Sequence, residues 1–209
     1  NQAFVQISGF DCEELIGTNH NIVRHPDMPP AAFANMWDTL KSGRSWMGVV
    51  KNRCKNGDFY WVDAFVTPSR DGDEVVGYES VRVAPDQGCV ERAERLYRQL
   101  WNDSKRLTLP KPGLRGKLAL GFAGASLLPF AGVAMAGLSL PLVAGLWGAT
   151  VLLGWGIAHL MLGDLRQAAT EARKIADNPA MRGVYTGRND EVGDLLFAIK
   201  TQQAKLRTV

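Results

Sequence analysis

From Leu118 to Gly163 the chain has no Asp, Glu, Lys or Arg, and His159 is the single titratable side chain in that run. No other feature restricts the fold so strongly. A helix crossing the hydrocarbon core of a bilayer needs about 20 predominantly apolar residues, and this run is long enough for two. Gly137-Leu138-Ser139-Leu140-Pro141 divides it, which predicts one span over Leu118 to about Ala136 and a second over about Leu142 to Leu162. So short a connection permits only an antiparallel hairpin, each helix satisfying its own backbone. Lys105, Arg106, Lys111, Arg115 and Lys117 precede the first span, Arg166, Arg173 and Lys174 follow the second, and the turn is uncharged. The positive-inside rule then puts both flanks in the cytoplasm. Ala144, Gly145, Gly148 and Ala149 allow close helix approach, and His159 falls at the interfacial end of its span.

Outside the hairpin the charges nearly balance, at a net +3. The basic juxtamembrane stretch suits anionic membrane lipid and topology better than nucleic acid. Cys12, Cys54 and Cys89 form no CxxC pair or zinc spacing and read as free thiols of a reducing compartment. The chain opens at Asn1 without initiator Met, signal peptide or basic leader and is read as part of a longer protein, extending before Asn1 and beyond Val209.

Residues 1–85 read as a soluble α+β domain. Phe4 and Ile7 suit a short helix closed at Gly9, and Asp11, Glu13 and Glu14 open another that ends at Gly17. Pro26, Pro29 and Pro30 break the chain, with Asp27 a candidate cap. Phe33, Met36, Trp37 and Leu40 then fall on one helical face. Strands are predicted over Trp46–Arg53, Phe59–Pro68 and Val75–Val83, joined by Asn56-Gly57 and by Asp71-Gly72. Residues 86–117 form an amphipathic linker helix, carrying Val90, Ala93, Leu96, Tyr97, Leu100 and Trp101 on one side, and a basic segment broken at Pro110 and Pro112. The hairpin occupies 118–163. In 164–209, a heptad-like helix from Leu165 to Ala176 leads through a connector (Asn178-Pro179, then Gly183 to Arg188) to a second helix capped at Asn189-Asp190-Glu191. Two such stripes bury themselves by association into a bundle.

The run Gly17-Thr18-Asn19-His20-Asn21-Ile22-Val23-Arg24-His25-Pro26-Asp27-Met28-Pro29, with Ala32-Phe33 and Trp37, resembles the flavin-binding PAS domain of aerotaxis receptors of the Aer family. So do Trp46-Met47-Gly48-Val49-Val50-Lys51-Asn52-Arg53, Lys55-Asn56-Gly57-Asp58-Phe59-Tyr60-Trp61-Val62, Thr67-Pro68 and Gly77-Tyr78-Glu79-Ser80-Val81-Arg82. Asp190-Glu191-Val192-Gly193 resembles the second helix of HAMP relay domains. The resemblance implies an α+β PAS domain whose first two strands precede Asn1, then the membrane hairpin and a HAMP relay. It implies FAD as cofactor and an assembly that is a homodimer or larger. It also implies a chemotaxis kinase and coupling protein as partners, reached through a signalling domain beyond Val209.

A flavin site needs an apolar slot, donors and acceptors for the polar ring edge, and cationic donors for the pyrophosphate. Phe33, Trp37 and Trp46 can form the slot, and the Asn52 amide both donates and accepts. Arg24 suits a pyrophosphate. His20 and His25 are candidate lining residues, and Asp27 either positions Arg24 or caps the next helix. Light-sensing LOV domains carry Gly-x-Asn-Cys where this chain has Gly17-Thr18-Asn19-His20, so no thiolate is present there for a photo-adduct. The alternatives are a haem-binding PAS oxygen sensor using His20 or His25, and a ligand-free PAS dimerisation module. The chain offers no Ser-His-Asp or Cys-His set, P-loop or paired pocket carboxylates, and is read as a non-enzyme redox sensor.

Overall fold

The computed structural model describes residues 1–102, 113–137 and 139–207. Lys105, Arg106, Pro110, Lys111, Pro112 and Leu138, which entered the topology reading, lie outside the described residues. The chain divides into two compact units, one of Asn1–Leu107, Asn178–Gly187 and Lys200–Val209, the other of Thr108–Asp177 and Arg188–Ile199.

In the first unit, α1 (Gln2–Ser8) begins at Asn1, whose side chain accepts from Ala3 N, and stops at Gly9 with φ 71°. That left-handed conformation suits glycine, which has no Cβ to clash. α2 (Cys12–Leu15) opens with a capping box between Asp11 and Glu14. A 3₁₀ turn over His20–Val23 leads to α3 (Pro30–Lys41). Asp27 was a candidate cap for α3, but Pro29 occupies the cap position and Asp27 pairs with Lys51 Nζ at 2.6 Å.

Three antiparallel strands follow in the order β1-β2-β3: β1 (Trp46–Arg53), β2 (Phe59–Asp71) and β3 (Glu74–Val83). The register sets Trp46 opposite Val66, Gly48 opposite Ala64 and Asn52 opposite Tyr60, and carries Ala64 across to Arg82. Alternation then sorts the side chains. Trp46, Val62, Ala64 and Val66 face α3, where with Leu40 they form the core against Met36, Val50 and Tyr60.

The opposite face of the sheet is covered by α4 (Gln87–Asn102) and α8 (Pro179–Thr186). Tyr97 of α4 is buried, donates its hydroxyl to the Val49 carbonyl and stacks on Trp61 at 6.4 Å. Tyr185 of α8 donates to the Asp63 carboxylate. The stretch read from sequence as a connector therefore contains a helix. Pro179 sits in its first turn, where a missing N–H is harmless, and Asn178 caps it by accepting from Met181 N at 3.2 Å.

In the second unit, α5 (Leu114–Met135) and α6 (Leu140–Met161) are long and apolar enough to cross a membrane, and they pack on one another as a helical pair. Trp147 Nε1 donates to Ser126 Oγ at 3.0 Å between them, and the Phe122 ring fills the space above Gly154. α7 (Gly163–Ile175) follows directly. α9 (Glu191–Leu206) is capped by Asp190, whose Oδ1 accepts from Gly193 N at 3.2 Å, as its sequence predicts.

Candidate functional site

Between α3, the 3₁₀ turn and the inner face of the sheet lies a cavity of about 280 Å³. Its walls are mostly apolar: Val23, Phe33, Met36, Trp37, Leu40, Trp46, Val50, Val62, Ala64 and Val66. The polar lining is Asn19, His20, Asn21, Arg24, Asn52, Tyr78, Ser80 and Arg82, which includes two arginines and neither Asp nor Glu. Ligand sites are commonly about 300–1,000 Å³ with few polar groups in an apolar wall. This cavity matches the lower end, enough for a fused ring system with its tail outside.

Each wall has a local cause. Trp46 Nε1 donates to Asn35 Oδ1 at 3.0 Å, which fixes the indole against the sheet. Gly48 makes room for it, because a Cβ there would stand 2.1 Å from the ring. Trp37 leans edge-on against Tyr78, with ring centroids 5.3 Å apart. Arg24 donates to the Met28 carbonyl at 3.0 Å and lies 4.5 Å from the Phe33 ring centroid.

Asn52 is 4% exposed, and its Nδ2 has no hydrogen-bond partner. The hydroxyl of Tyr60, its cross-strand neighbour, is likewise buried without one. The two groups lie close enough for the amide to act on the phenol, yet burial dominates and raises the Tyr60 pKa. A buried polar atom left unsatisfied costs about 1–3 kcal/mol. Of the two, Asn52 lines the cavity, and its Nδ2 marks a place where a ligand edge would restore a lost bond.

His20 stands at the mouth. The residue is exposed overall, and desolvation of its ring, then the Arg82 charge, push its pKa down to about 4. The imidazole is therefore neutral at pH 7, and its Nε2 accepts from Arg82 Nη2.

Six of the eight residues singled out from sequence line this cavity: His20, Arg24, Phe33, Trp37, Trp46 and Asn52. His25 and Asp27 do not. His25 Nδ1 accepts from Asp27 N at 3.1 Å and its ring meets Phe59 edge-on at 5.7 Å. Asp27 is 65% exposed, and the Lys51 hydrogen bond holds its carboxyl below the usual range. It neither positions Arg24 nor caps α3. Of the polar lining, sequence reasoning did not single out Asn19, Asn21, Tyr78, Ser80 or Arg82.

Residues 1–81 match the PAS fold family. Over 217 residues, the chain is 36% identical to the aerotaxis receptor of Escherichia coli (strain K12), a match covering 95% of this chain and 42% of that one. Over nearly its whole length, the chain is similar to an aerotaxis receptor. It spans less than half the length of that relative. Within the PAS region it is also 34% identical over 70 residues to phototropin-2 of Oryza sativa, covering 34% of this chain and 8% of that one. A nitrogen fixation regulatory protein of Klebsiella pneumoniae is 29% identical over 68 residues, 32% of this chain and 14% of its own. Among solved structures, the light state of the Aureochrome1 LOV photoreceptor overlaps loosely, with a TM-score of 0.39 and 19% identity over 51% of this chain and 78% of its own. In this aerotaxis-receptor relative, the cavity belongs to the PAS domain.

Proposed function

We propose that the PAS cavity holds the ring system of FAD and that the chain is a membrane-anchored redox sensor rather than an enzyme. The observation that carries the reading is the buried, unpartnered Asn52 Nδ2 in an apolar cavity beside two arginines. A flavin ring presents acceptors and a donor along one edge, and bound there it supplies reversible electron uptake. Asn52 would hold that polar edge. Phe33, Trp37 and Trp46 would enclose the rings and exclude water, and Arg24 would meet the phosphate tail at the mouth.

The site suits flavin better than haem. Of the two histidines that the haem reading would use as axial ligand, His25 lies outside the cavity and His20 Nε2 is engaged by Arg82. A ligand-free dimerisation module would have no use for the orphaned Asn52 amide in a cavity wall.

On this reading a change in hydrogen bonding at Asn52 shifts the sheet, and the helices on its far face respond. The α5–α6 pair anchors the chain in a bacterial inner membrane with the PAS region in the cytoplasm. The helices after it act as a HAMP relay toward a chemotaxis kinase and its coupling protein, in a dimer or larger array.

The test is a visible spectrum of the detergent-solubilised chain supplied with FAD. Bound flavin peaks that bleach on reduction are expected. Asn52→Ala should weaken FAD retention or leave the protein insensitive to reduction, read as an unchanged protease-cleavage pattern in the two states. Colourless wild-type protein, or a Soret band, would remove the flavin reading.

A further inference from the structure

The cavity contains a cation with no matching anion. Arg82 projects from β3 in the row Gly48–Ala64–Arg82, so the two smallest side chains of the inner face lie beside it. Its Nε donates to Ser80 Oγ at 3.3 Å, Nη2 donates to His20, and the guanidinium stands 5.8 Å from the Phe4 ring centroid. Among the described residues no carboxylate forms an ion pair with it, and desolvation lowers its pKa. An arginine stays protonated in any such site. The charge is therefore permanent, partly desolvated and uncompensated.

We propose that Arg82, held by neutral His20, is the charge-matching residue of this cavity and favours a bound ring in its negatively charged, reduced form over the neutral, oxidised one. The inference rests on the flavin reading above. Uptake of one electron, or of two electrons and one proton, leaves an initially neutral ring with one negative charge. The electrons come from an external donor, dithionite in the test below, which is oxidised in turn. Asn52 is poorly suited to select between the two states, since its amide offers a donor and an acceptor alike. Arg82 offers donors only, together with a full charge. At a separation of roughly 6–8 Å and an effective dielectric near 20, a unit charge favours the anion by a factor of several tens. Screening at the open mouth lowers that to on the order of tenfold.

The experiment measures FAD affinity of the full, detergent-solubilised chain by anaerobic equilibrium dialysis, with FAD oxidised and with FAD reduced by dithionite. Linkage makes the ratio of the two dissociation constants a direct report of the shift in the reduction equilibrium. Arg82→Gln should shrink the preference for reduced FAD at least tenfold, equivalent to about 30 mV lower for the two-electron couple that dithionite completes. Arg82→Lys, which keeps the charge, should stay within about threefold, and Arg24→Gln should weaken both redox forms alike. Equal weakening of both forms by Arg82→Gln would overturn the proposal while leaving the flavin reading intact. Failure of wild-type protein to take up FAD in either state would overturn both. A readout independent of flavin is the NMR titration of His20, expected near pH 4 in wild type and higher in Arg82→Gln. An unmoved His20 midpoint also overturns the proposal.

Discussion

Replacing Gly48 with alanine drives a methyl group into the Trp46 indole. A Cβ at position 48 would lie 2.1 Å from Cη2, 2.3 Å from Cζ2 and 2.9 Å from Cζ3 of that ring, whereas carbon atoms pack best at about 3.5–4.0 Å. The one free direction for the ring is into the cavity that it lines. Trp46 is 3% exposed, packs with Leu40, Val62, Ala64 and Val66, and is tethered to Asn35 Oδ1 through Nε1. Overpacking of this kind costs about 1–3 kcal/mol, and tearing the indole N–H from its acceptor adds about 1–3 kcal/mol if the donor stays buried. The two are alternatives in part, so Gly48→Ala is expected to cost about 2–4 kcal/mol. In urea unfolding followed by circular dichroism, that is a midpoint lower by on the order of 1–2 M. The same substitution in a Trp46→Leu background should cost less than about 1 kcal/mol, because the ring that the methyl meets is gone. A Gly48→Ala midpoint indistinguishable from that of wild type, or an equal cost in both backgrounds, would refute the steric argument.

Two further outcomes follow from charges elsewhere. Burial raises the Asp63 carboxyl above its ordinary pKa, against the opposing hydrogen bond from Tyr185. The native state therefore keeps a proton that the unfolded chain has lost, and stability should fall as pH rises from about 4 through the raised value. Asp63→Asn should abolish that slope in urea midpoints measured from pH 4 to 7, and Tyr185→Phe should steepen it. Asp190 has a side chain 1% exposed, yet its partners Arg188 and Lys117 are 44% and 49% exposed. Both rehydrate when the carboxylate is removed, so Asp190→Ala should cost about the 0.5–2 kcal/mol of a lost helix cap rather than the 3–5 kcal/mol of a stranded buried charge. Faster hydrogen exchange at Gly193 N is the readout. Arg188 first, then Lys117, hold the Asp190 carboxyl well below the usual range. Its contribution should be complete above about pH 4 and fade as pH falls further.

The strands were legible because their signals are local. Trp46 to Arg53 is a short run between Gly43 and the Asn56-Gly57 turn, in which Gly57 takes φ 95°, and β1 has the predicted bounds. β2 runs past Pro68, where the sequence reading ended it ahead of the turn at Asp71-Gly72. The strand instead continues to Asp71 through a register shift at Ser69/Arg70. α8 was obscured by Pro179, Gly183 and Gly187, three residues that elsewhere break helices. Its own signal was present in Met181, Val184 and Tyr185, which are spaced for one helical face and all buried. Within the candidate site, His20, Arg24, His25 and Asp27 were read together because they are close in sequence. The single bridge between Arg24 and Asn52 gives that stretch strand-like alternation, sending Arg24 toward the cavity and its neighbour His25 away. Arg82 lay in the run Gly77-Tyr78-Glu79-Ser80-Val81-Arg82, which was read for its resemblance and given no role in the site. Only the register, which lays it across from Ala64 and Gly48, brings it to the ring site.

That same alternation makes the sheet a wall one residue thick. Along β1, Trp46, Val50 and Asn52 line the cavity while Val49, between them, gives its carbonyl to Tyr97 on the other side. Along β2, Val62 and Ala64 line the cavity and Asp63 receives the Tyr185 hydroxyl. Each hydrogen bond to an outer helix therefore ends on a residue covalently joined to a cavity-lining residue. Burial pushes both phenols far above the ordinary tyrosine pKa, which keeps them neutral donors. Neither can exchange its acceptor for bulk water without leaving a polar group unpaired, a penalty of about 1–3 kcal/mol. A sub-ångström displacement of the strand at Val50 or Ala64 thus carries the acceptor with it, and α4 and α8 either follow or lose a bond. No extended relay of side chains is required between the proposed ring site and these two helices, because the peptide backbone of β1 and β2 is the connection.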